Sequence, residues 1–244
     1  MQGYGPETYG TASAEDYDDF YTDREDEVAA TAAALCELAG PGPVLEIGVG
    51  TGMVAEAIAS RGFDVVGVDS SPAMLAVARK KSAGKPALCT ADATVDRIQG
   101  SYSLIYCVFN TFFMLGDRAA QIVFLRNAYD ALEPKGRLVI ETFVPTAERL
   151  GNWRGRVVVA DMTATTVTLV ASRNDSERQL LENQKIMIRD GRVELAPSQF
   201  HYHTAEQMDK MSGSAGLTLE SRWGGWSREE PAAGSTKMIA VYTR

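Results

Sequence analysis

Both histidines of the chain sit in one short stretch, Phe200-His201-Tyr202-His203. Imidazoles spaced by one residue face the same side of an extended strand, with Phe200 and Tyr202 on the other. Such a pair can ligate a metal, take a proton near neutral pH, or act as hydrogen-bonded framework. A metal needs a third ligand, and in the neighbouring sequence only Glu194 or Glu206 offers one. The expectation is no metal, His201 as a candidate general base, and His203 as a structural residue. Thr204 and Gln207 behind them have capping-box spacing, which predicts a helix start.

A second chemical stretch is VLEIGVGTG, residues 44–52. A strand runs into a glycine turn and then a helix, so bare backbone and free N–H groups meet at one point and a ligand is expected there. A dinucleotide fingerprint would place its third glycine at position 53, but that residue is Met53 and the glycine is Gly52. Asp69 follows about twenty residues later at a strand end, where a carboxylate can accept both hydroxyls of a ribose. Asp92, in Ala91-Asp92-Ala93, offers another carboxylate after the next strand.

These residues need a frame. From Pro43 to Val144, short β-branched runs alternate with helical stretches, which predicts parallel strands with crossover helices, a Rossmann-like doubly wound α/β sheet. Ahead of it, residues 14–38 are expected to be helical in two pieces, with Tyr17 and Tyr21 on one face as part of a lid. After Val144 the pattern becomes β-rich, with Asp190-Gly191 as a tight-turn signal, and an antiparallel insertion is expected. The expected division of one domain is 1–39 lid, 40–145 with 204–244 core, and 146–203 insertion.

The segment 40–145 resembles the class I S-adenosylmethionine-dependent methyltransferases. The likeness rests on Glu46-Ile47-Gly48-Val49-Gly50-Thr51-Gly52, Val68-Asp69-Ser70-Ser71-Pro72-Ala73-Met74-Leu75, Ala91-Asp92-Ala93, and Leu132-Glu133-Pro134-Lys135-Gly136-Arg137. The resemblance implies that the Gly48, Gly50 and Gly52 loop cradles the amino-acid part of S-adenosylmethionine. Asp69 would hold the ribose, Met74 would pack on the adenine, and Asp92 and Ala93 would meet its amino edge. Tyr9, Glu46, Ser70 and Val108 complete the implied donor contacts. The layout is also similar to small-molecule methyltransferases of natural-product pathways, amino-sugar N-methyltransferases among them.

Methyl transfer from a sulfonium is an in-line displacement, so alignment supplies much of the catalysis and a base is needed only where the acceptor must lose a proton. The catalytic candidates are His201, Tyr17, Tyr21 and Glu141, the last at the end of the fifth strand. Asn110, Phe112, Tyr202, Trp223 and Trp226 are candidates for the acceptor wall, since aromatic surfaces suit a flat or cationic partner. Trp153 is equally well explained by packing under the insertion.

Composition limits the alternatives. A net charge of −8 argues against a nucleic-acid partner. No apolar run is long enough to span a bilayer and the start has no signal-peptide pattern, so a cytoplasmic protein is expected. Cys36, Cys89 and Cys107 lack the spacing of zinc sites or disulfide frameworks. The expected reaction is methylation of a small molecule of secondary metabolism, on an amine or amino sugar, or on an aromatic carbon such as that of an indole. Hydroxyl methylation, a non-catalytic cofactor-binding module and a nicotinamide dehydrogenase are the rivals, and a homodimer is compatible with the sequence.

Overall fold

The computed structural model describes residues 1–19, 24–82, 84–151 and 155–244; Tyr21 and Trp153 lie outside the described residues. The chain begins with α1 (Thr8–Ser13) and α2 (Glu25–Leu38). It continues through β1 (Val44–Ile47), α3 (Met53–Ala59), β2 (Val65–Asp69), α4 (Pro72–Lys81), β3 (Ala87–Thr90) and β4 (Tyr102–Cys107). Two helices, α5 (Thr111–Met114) and α6 (Arg118–Ala131), lead to β5 (Leu132–Phe143). Past α7 (Ala147–Leu150) come β6 (Arg156–Met162), β7 (Thr166–Asp175), β8 (Leu180–Arg189) and β9 (Arg192–His201). The chain then forms α8 (Ala205–Ser214), β10 (Thr218–Trp223) and β11 (Lys237–Thr243).

Seven strands form one sheet in the order β10-β11-β5-β4-β1-β2-β3. β1 to β5 pair in parallel, and β11 runs antiparallel to both β5 and β10. Successive residues on β4 explain why this sheet is covered on both faces. Leu104 and Tyr106 pack with α2 and α3, while Ile105 and Cys107 pack with α6 and α8. Strands apolar on both faces need a helix on each side, which the crossover connections provide.

Local signals account for the helix starts. Ser71 caps α4 through Met74 N–H with Pro72 at the first turn, and Arg79, Lys80 and Lys81 occupy its last turn. Asp117 caps α6, and the Thr204 and Gln207 capping box is formed at α8. The leader differs from expectation: α1 ends at Ser13, α2 begins at Glu25, and Tyr17 lies in the turns between them. The acidic run around Asp16, Asp18 and Asp19 is a poor helix interior, and Asp18 is engaged elsewhere, accepting from Thr51 Oγ1 at 2.6 Å and pairing with Lys81.

The second sheet has four antiparallel strands in the order β6-β7-β8-β9. Asp190 and Gly191 both have positive φ in the turn joining β8 to β9, as a two-residue hairpin of this hand requires. The C-terminal half of β9 reaches α1 and α5, which brings this sheet to the edge of the first.

Candidate active site

A cavity of about 550 Å³ lies where the C-terminal ends of β1, β2 and β4 meet α1 and β9. That is an ordinary size for a small-molecule site, ~300–1,000 Å³. One end is built by the glycine loop after β1. Gly48 and Gly50 hold φ of 71° and 55°. A Cβ on Gly48 would come within 2.4 Å of Thr111 Cγ2, whereas one on Gly50 would meet nothing within 4 Å. Gly48 therefore seats the loop on α5, and Gly50 leaves bare backbone at the cavity wall. Gly52, also left-handed, closes the turn through its N–H to the Val49 carbonyl and does not reach the wall.

Asp69 ends β2 in the same wall. Its Oδ2 accepts from Gly50 N–H and its Oδ1 from Ser71 N–H, each at 2.8 Å. Both oxygens keep lone pairs for further donors, so the carboxylate can take a vicinal diol. Burial pushes its pKa up, and the two backbone bonds oppose that rise. Asp92 Oδ1 accepts from Thr94 N–H and Oγ1, a turn that holds Asp92, Ala93 and Thr94 at the wall. Met74, Val108 and Ser70 also line the cavity, and Ser70 Oγ donates to the Pro6 carbonyl of the leader. Glu46 is buried at the cavity floor, accepting from Tyr106 Oη at 2.9 Å, and desolvation pushes its carboxyl up to about 8.

The other end is assembled from remote segments. The leader supplies Tyr4, Tyr9 and Tyr17, with the rings of Tyr9 and Tyr17 edge to face at 6.4 Å. The turn after β4 supplies Phe109 and Asn110, both non-glycine residues with positive φ. Two buried contacts hold this strained turn: Phe109 N–H donates to Glu141 Oε2 at 3.0 Å, and Phe143 N–H donates to Asn110 Oδ1 at 2.6 Å. β9 supplies Gln199, Phe200 and His201. Burial lowers the His201 pKa, and the charge of Asp117, which lines the same cavity, partly opposes that.

Several expected residues serve elsewhere. Glu141 lies beneath the wall, where its carboxylate also meets Lys237 Nζ at 3.3 Å, so it supports the turn instead of facing a reactant. Phe112 is fully buried against Phe113 and Phe124. Tyr202 is in the core with its hydroxyl on Asn174 Oδ1. Trp223 and Trp226 pack in the cluster with Val139 and Ile239, because β10 pairs Trp223 with Ile239 inside the first sheet. The expected shared face of the two histidines ends with the strand at His201. His203 turns inward, its Nε2 meeting Gln121 Oε1 at 2.7 Å, and burial lowers its pKa to about 4.

Three contributors escaped the sequence reading. Gly10 brings α1 so close to α4 that a Cβ would lie 2.4 Å from Ser71 Cβ. Arg24 sits at the wall over the Phe109 ring at 5.2 Å. Gln121, fully buried, donates from Nε2 to the carbonyls of His201, Phe112 and Gly116 at 3.0, 3.1 and 3.3 Å. Its only sequence signal was a polar residue on the apolar side of α6. Among the described residues, no cluster of three or more His, Cys, Asp or Glu side chains is arranged to hold a metal.

Comparison with known proteins agrees with this architecture. The methyltransferase domain family matches residues 44–136. The structure of the CcbJ methyltransferase from Streptomyces caelestis is similar at 32% identity, covering 98% of each chain with a TM-score of 0.92. A cypemycin N-terminal methyltransferase from Streptomyces sp is 27% identical over 215 residues, 82% of each chain. An S-adenosylmethionine-bound amino pentose methyltransferase from Micromonospora echinaspora shares the fold, with 23% identity, a TM-score of 0.72, and coverage of 93% of this chain and 96% of that one. A glycine loop and a strand-end carboxylate on a sheet of this order, shared almost end to end with a methyltransferase, mean that the chain belongs to the S-adenosylmethionine-dependent methyltransferases.

Proposed function

We propose that the protein methylates the nitrogen of a small amine of secondary metabolism. The observation that carries this reading is His201, an imidazole in the wall of a cavity that Phe200, Tyr9 and Tyr17 also line, with its pKa lowered by burial. An amine must shed a proton before its lone pair can attack, and an aromatic surround favours a cationic acceptor as it arrives. The named activity of one relative, an N-terminal methyltransferase, supports nitrogen as the acceptor atom. The burial of Trp223 and Trp226 in the core removes two expected walls that would have suited a flat or a cationic acceptor alike.

The residues present fit the donor. Gly48, Gly50 and the Thr51 backbone would take its amino-acid end, Asp69 its ribose hydroxyls, and Met74 with Asp92 and Ala93 its adenine. Glu46, poised between protonation states, would ionise as a cationic ligand enters. S-adenosylmethionine supplies an electrophilic methyl on a sulfonium. As the nitrogen–methyl bond forms, the sulfur–methyl bond breaks, its electron pair goes to sulfur, and His201 Nδ1 or Nε2 takes the amine proton. Tyr9, Tyr17 and the Phe109 turn keep water out and hold the acceptor in line.

The test is transfer of labelled methyl to a panel of amines, hydroxyls and aromatic carbons. Nitrogen products are expected. His201→Ala should lose roughly a hundredfold in kcat at neutral pH, the lower range for a general base, with donor affinity unchanged. The wild-type rate falls as pH drops through the lowered His201 pKa, and the deficit of the variant shrinks at high pH, where the amine is already neutral. Full turnover by the variant at neutral pH removes His201 from the mechanism.

A further inference from the structure

The turn that carries Phe109 and Asn110 into the cavity wall is unfavourable by itself. Both residues are left-handed, with φ of 53° and 69°, a backbone that a bulky side chain rarely adopts. Phe109 is held twice: its N–H donates to Glu141 Oε2 at 3.0 Å, and the Arg24 guanidinium lies over its ring at 5.2 Å. Both holds lead back to one cation. Lys237 Nζ lies 3.3 Å from Glu141 Oε1 and also bonds Glu27 Oε1, while Glu27 Oε2 lies 3.8 Å from Arg24 Nε. Strand register explains the meeting. Ile239 pairs with Glu141, and Lys237 stands two residues before Ile239, so both charged side chains leave the sheet on one face, the face that α2 covers.

We propose that Lys237 is a positioning residue for methyl transfer, its ammonium tying α2 to β5 through Glu27 and Glu141 so that the Phe109-Asn110 turn stays closed on the cavity. This rests on the cavity being the methyl-transfer site and is independent of which atom accepts the methyl. The electrostatics support it. Burial raises the pKa of Glu141, which is 4% exposed, and Lys237 opposes that rise while the charge of Glu27 adds to it. Burial would lower the pKa of Lys237, but Glu141 and Glu27 more than offset this and hold it above its ordinary value, so the cation persists at neutral pH. Without that cation, burial and Glu27 both drive Glu141 to the neutral form, which gives Phe109 N–H a weaker bond. Among the described residues, the other titratable groups on this side are Arg24, reached through Glu27, and Cys107 on β4, whose thiol burial keeps neutral. The pH response of the turn therefore belongs to Glu141.

Amide hydrogen exchange of the full chain, read at Phe109 and corrected for the intrinsic effect of pH, tests this without donor or acceptor. Lys237→Met should speed exchange at Phe109 roughly tenfold at pH 7, the difference between a charge-assisted and a neutral bond, with a larger effect at pH 6 and a smaller one at pH 9. Lys237→Arg keeps the charge and should stay within about twofold of wild type. Glu141→Gln, uncharged throughout, should show fast exchange at Phe109 that no longer varies with pH, and it carries the test if Lys237→Met does not fold. Turnover should follow exchange: with the acceptor that the labelled-methyl panel identifies, Lys237→Met should lose about tenfold in kcat with the donor KM unchanged, and Lys237→Arg should restore it.

Unchanged exchange at Phe109 in Lys237→Met overturns the proposal. So does a rise that is independent of pH, one matched at the amides of β1, which a general loss of stability would give, or one that leaves kcat intact. A pH-dependent rise in Glu141→Gln overturns it as well. Because exchange is read on the chain alone, failure of the nitrogen-acceptor reading and failure of this proposal are separate results.

Discussion

The two ends of the cavity are built by different means. At the glycine-loop end, a single stretch from Val44 to Thr94 supplies nearly every contact, and its parts hold one another: Asp69 is fixed by Ser71 two residues on and by Gly50 from the neighbouring strand end, and Asp92 by Thr94. At the other end, the wall comes from the leader, the β4 turn and β9, which are far apart in the chain and are joined by single side chains such as Gln121 and Glu141. The first end is a motif, while the second is a convergence. A local motif tolerates changes elsewhere, whereas a convergent wall depends on each of its ties.

The largest test of this contrast is Asp69→Ala. Two charge-assisted bonds to a diol are worth about 1.5–3 kcal/mol each, so donor affinity should fall by a hundredfold or more in calorimetry. Donor affinity left intact would mean that the glycine-loop end does not carry the donor.

Glu46→Gln probes the same end through pH. The buried carboxyl has a folded pKa of about 8 against an unfolded value of 4.5, so the folded state holds the proton longer. Stability attributable to this group is fully present below pH 4.5 and is lost as pH rises through about 8, on the order of 4 kcal/mol in total. The variant should therefore gain thermal stability relative to wild type at pH 9 and show little difference at pH 4. It should also lose the pH dependence of donor binding, since it cannot ionise as the cationic ligand enters.

Gln121→Leu tests the convergent end. Its effect on activity should be the smallest, roughly fivefold in kcat/KM for the acceptor, with donor affinity unchanged and a stability loss of about 1–3 kcal/mol from carbonyls left without donors. Rescue of acceptor turnover by Gln121→Asn, whose shorter arm cannot reach the same carbonyls, would break the argument that Gln121 positions His201.

The same contrast explains what could be read in advance. Strand alternation, the Ser71 cap and the Asp190-Gly191 turn are set by residues a few positions apart, and the glycine loop and Asp69 by a spacing of about twenty, so the sequence carries them openly. The acceptor wall is not local. Glu141 looked like a reactive group because polar residues at strand ends usually face ligands, and nothing in the chain announces that it and the wall residue Asn110 hold a turn of two left-handed residues. Trp223 and Trp226 looked like pocket walls because Gly224 and Gly225 lie between them. Those glycines instead make a turn, closed by Gly224 N–H on the Glu229 carbonyl, that returns both rings to the core. His203 departed from His201 because the strand stops, a boundary set by the reach of β8 and not by either histidine.

The leader lies across the donor end, pinned by Asp18 on Thr51 and Lys81, by Ser70 on Pro6, and by Gly10 against Ser71. The ties to Thr51, Ser70 and Ser71 fall on the glycine loop and on the residues leading into α4, beside the cavity, while the tie to Lys81 falls on the last turn of that helix. Exchange of spent donor for fresh would then require the leader to peel away and settle again once per turnover. Such a latch ties donor exchange to the leader: added salt, by loosening the Asp18–Lys81 pair, should speed release of the spent donor.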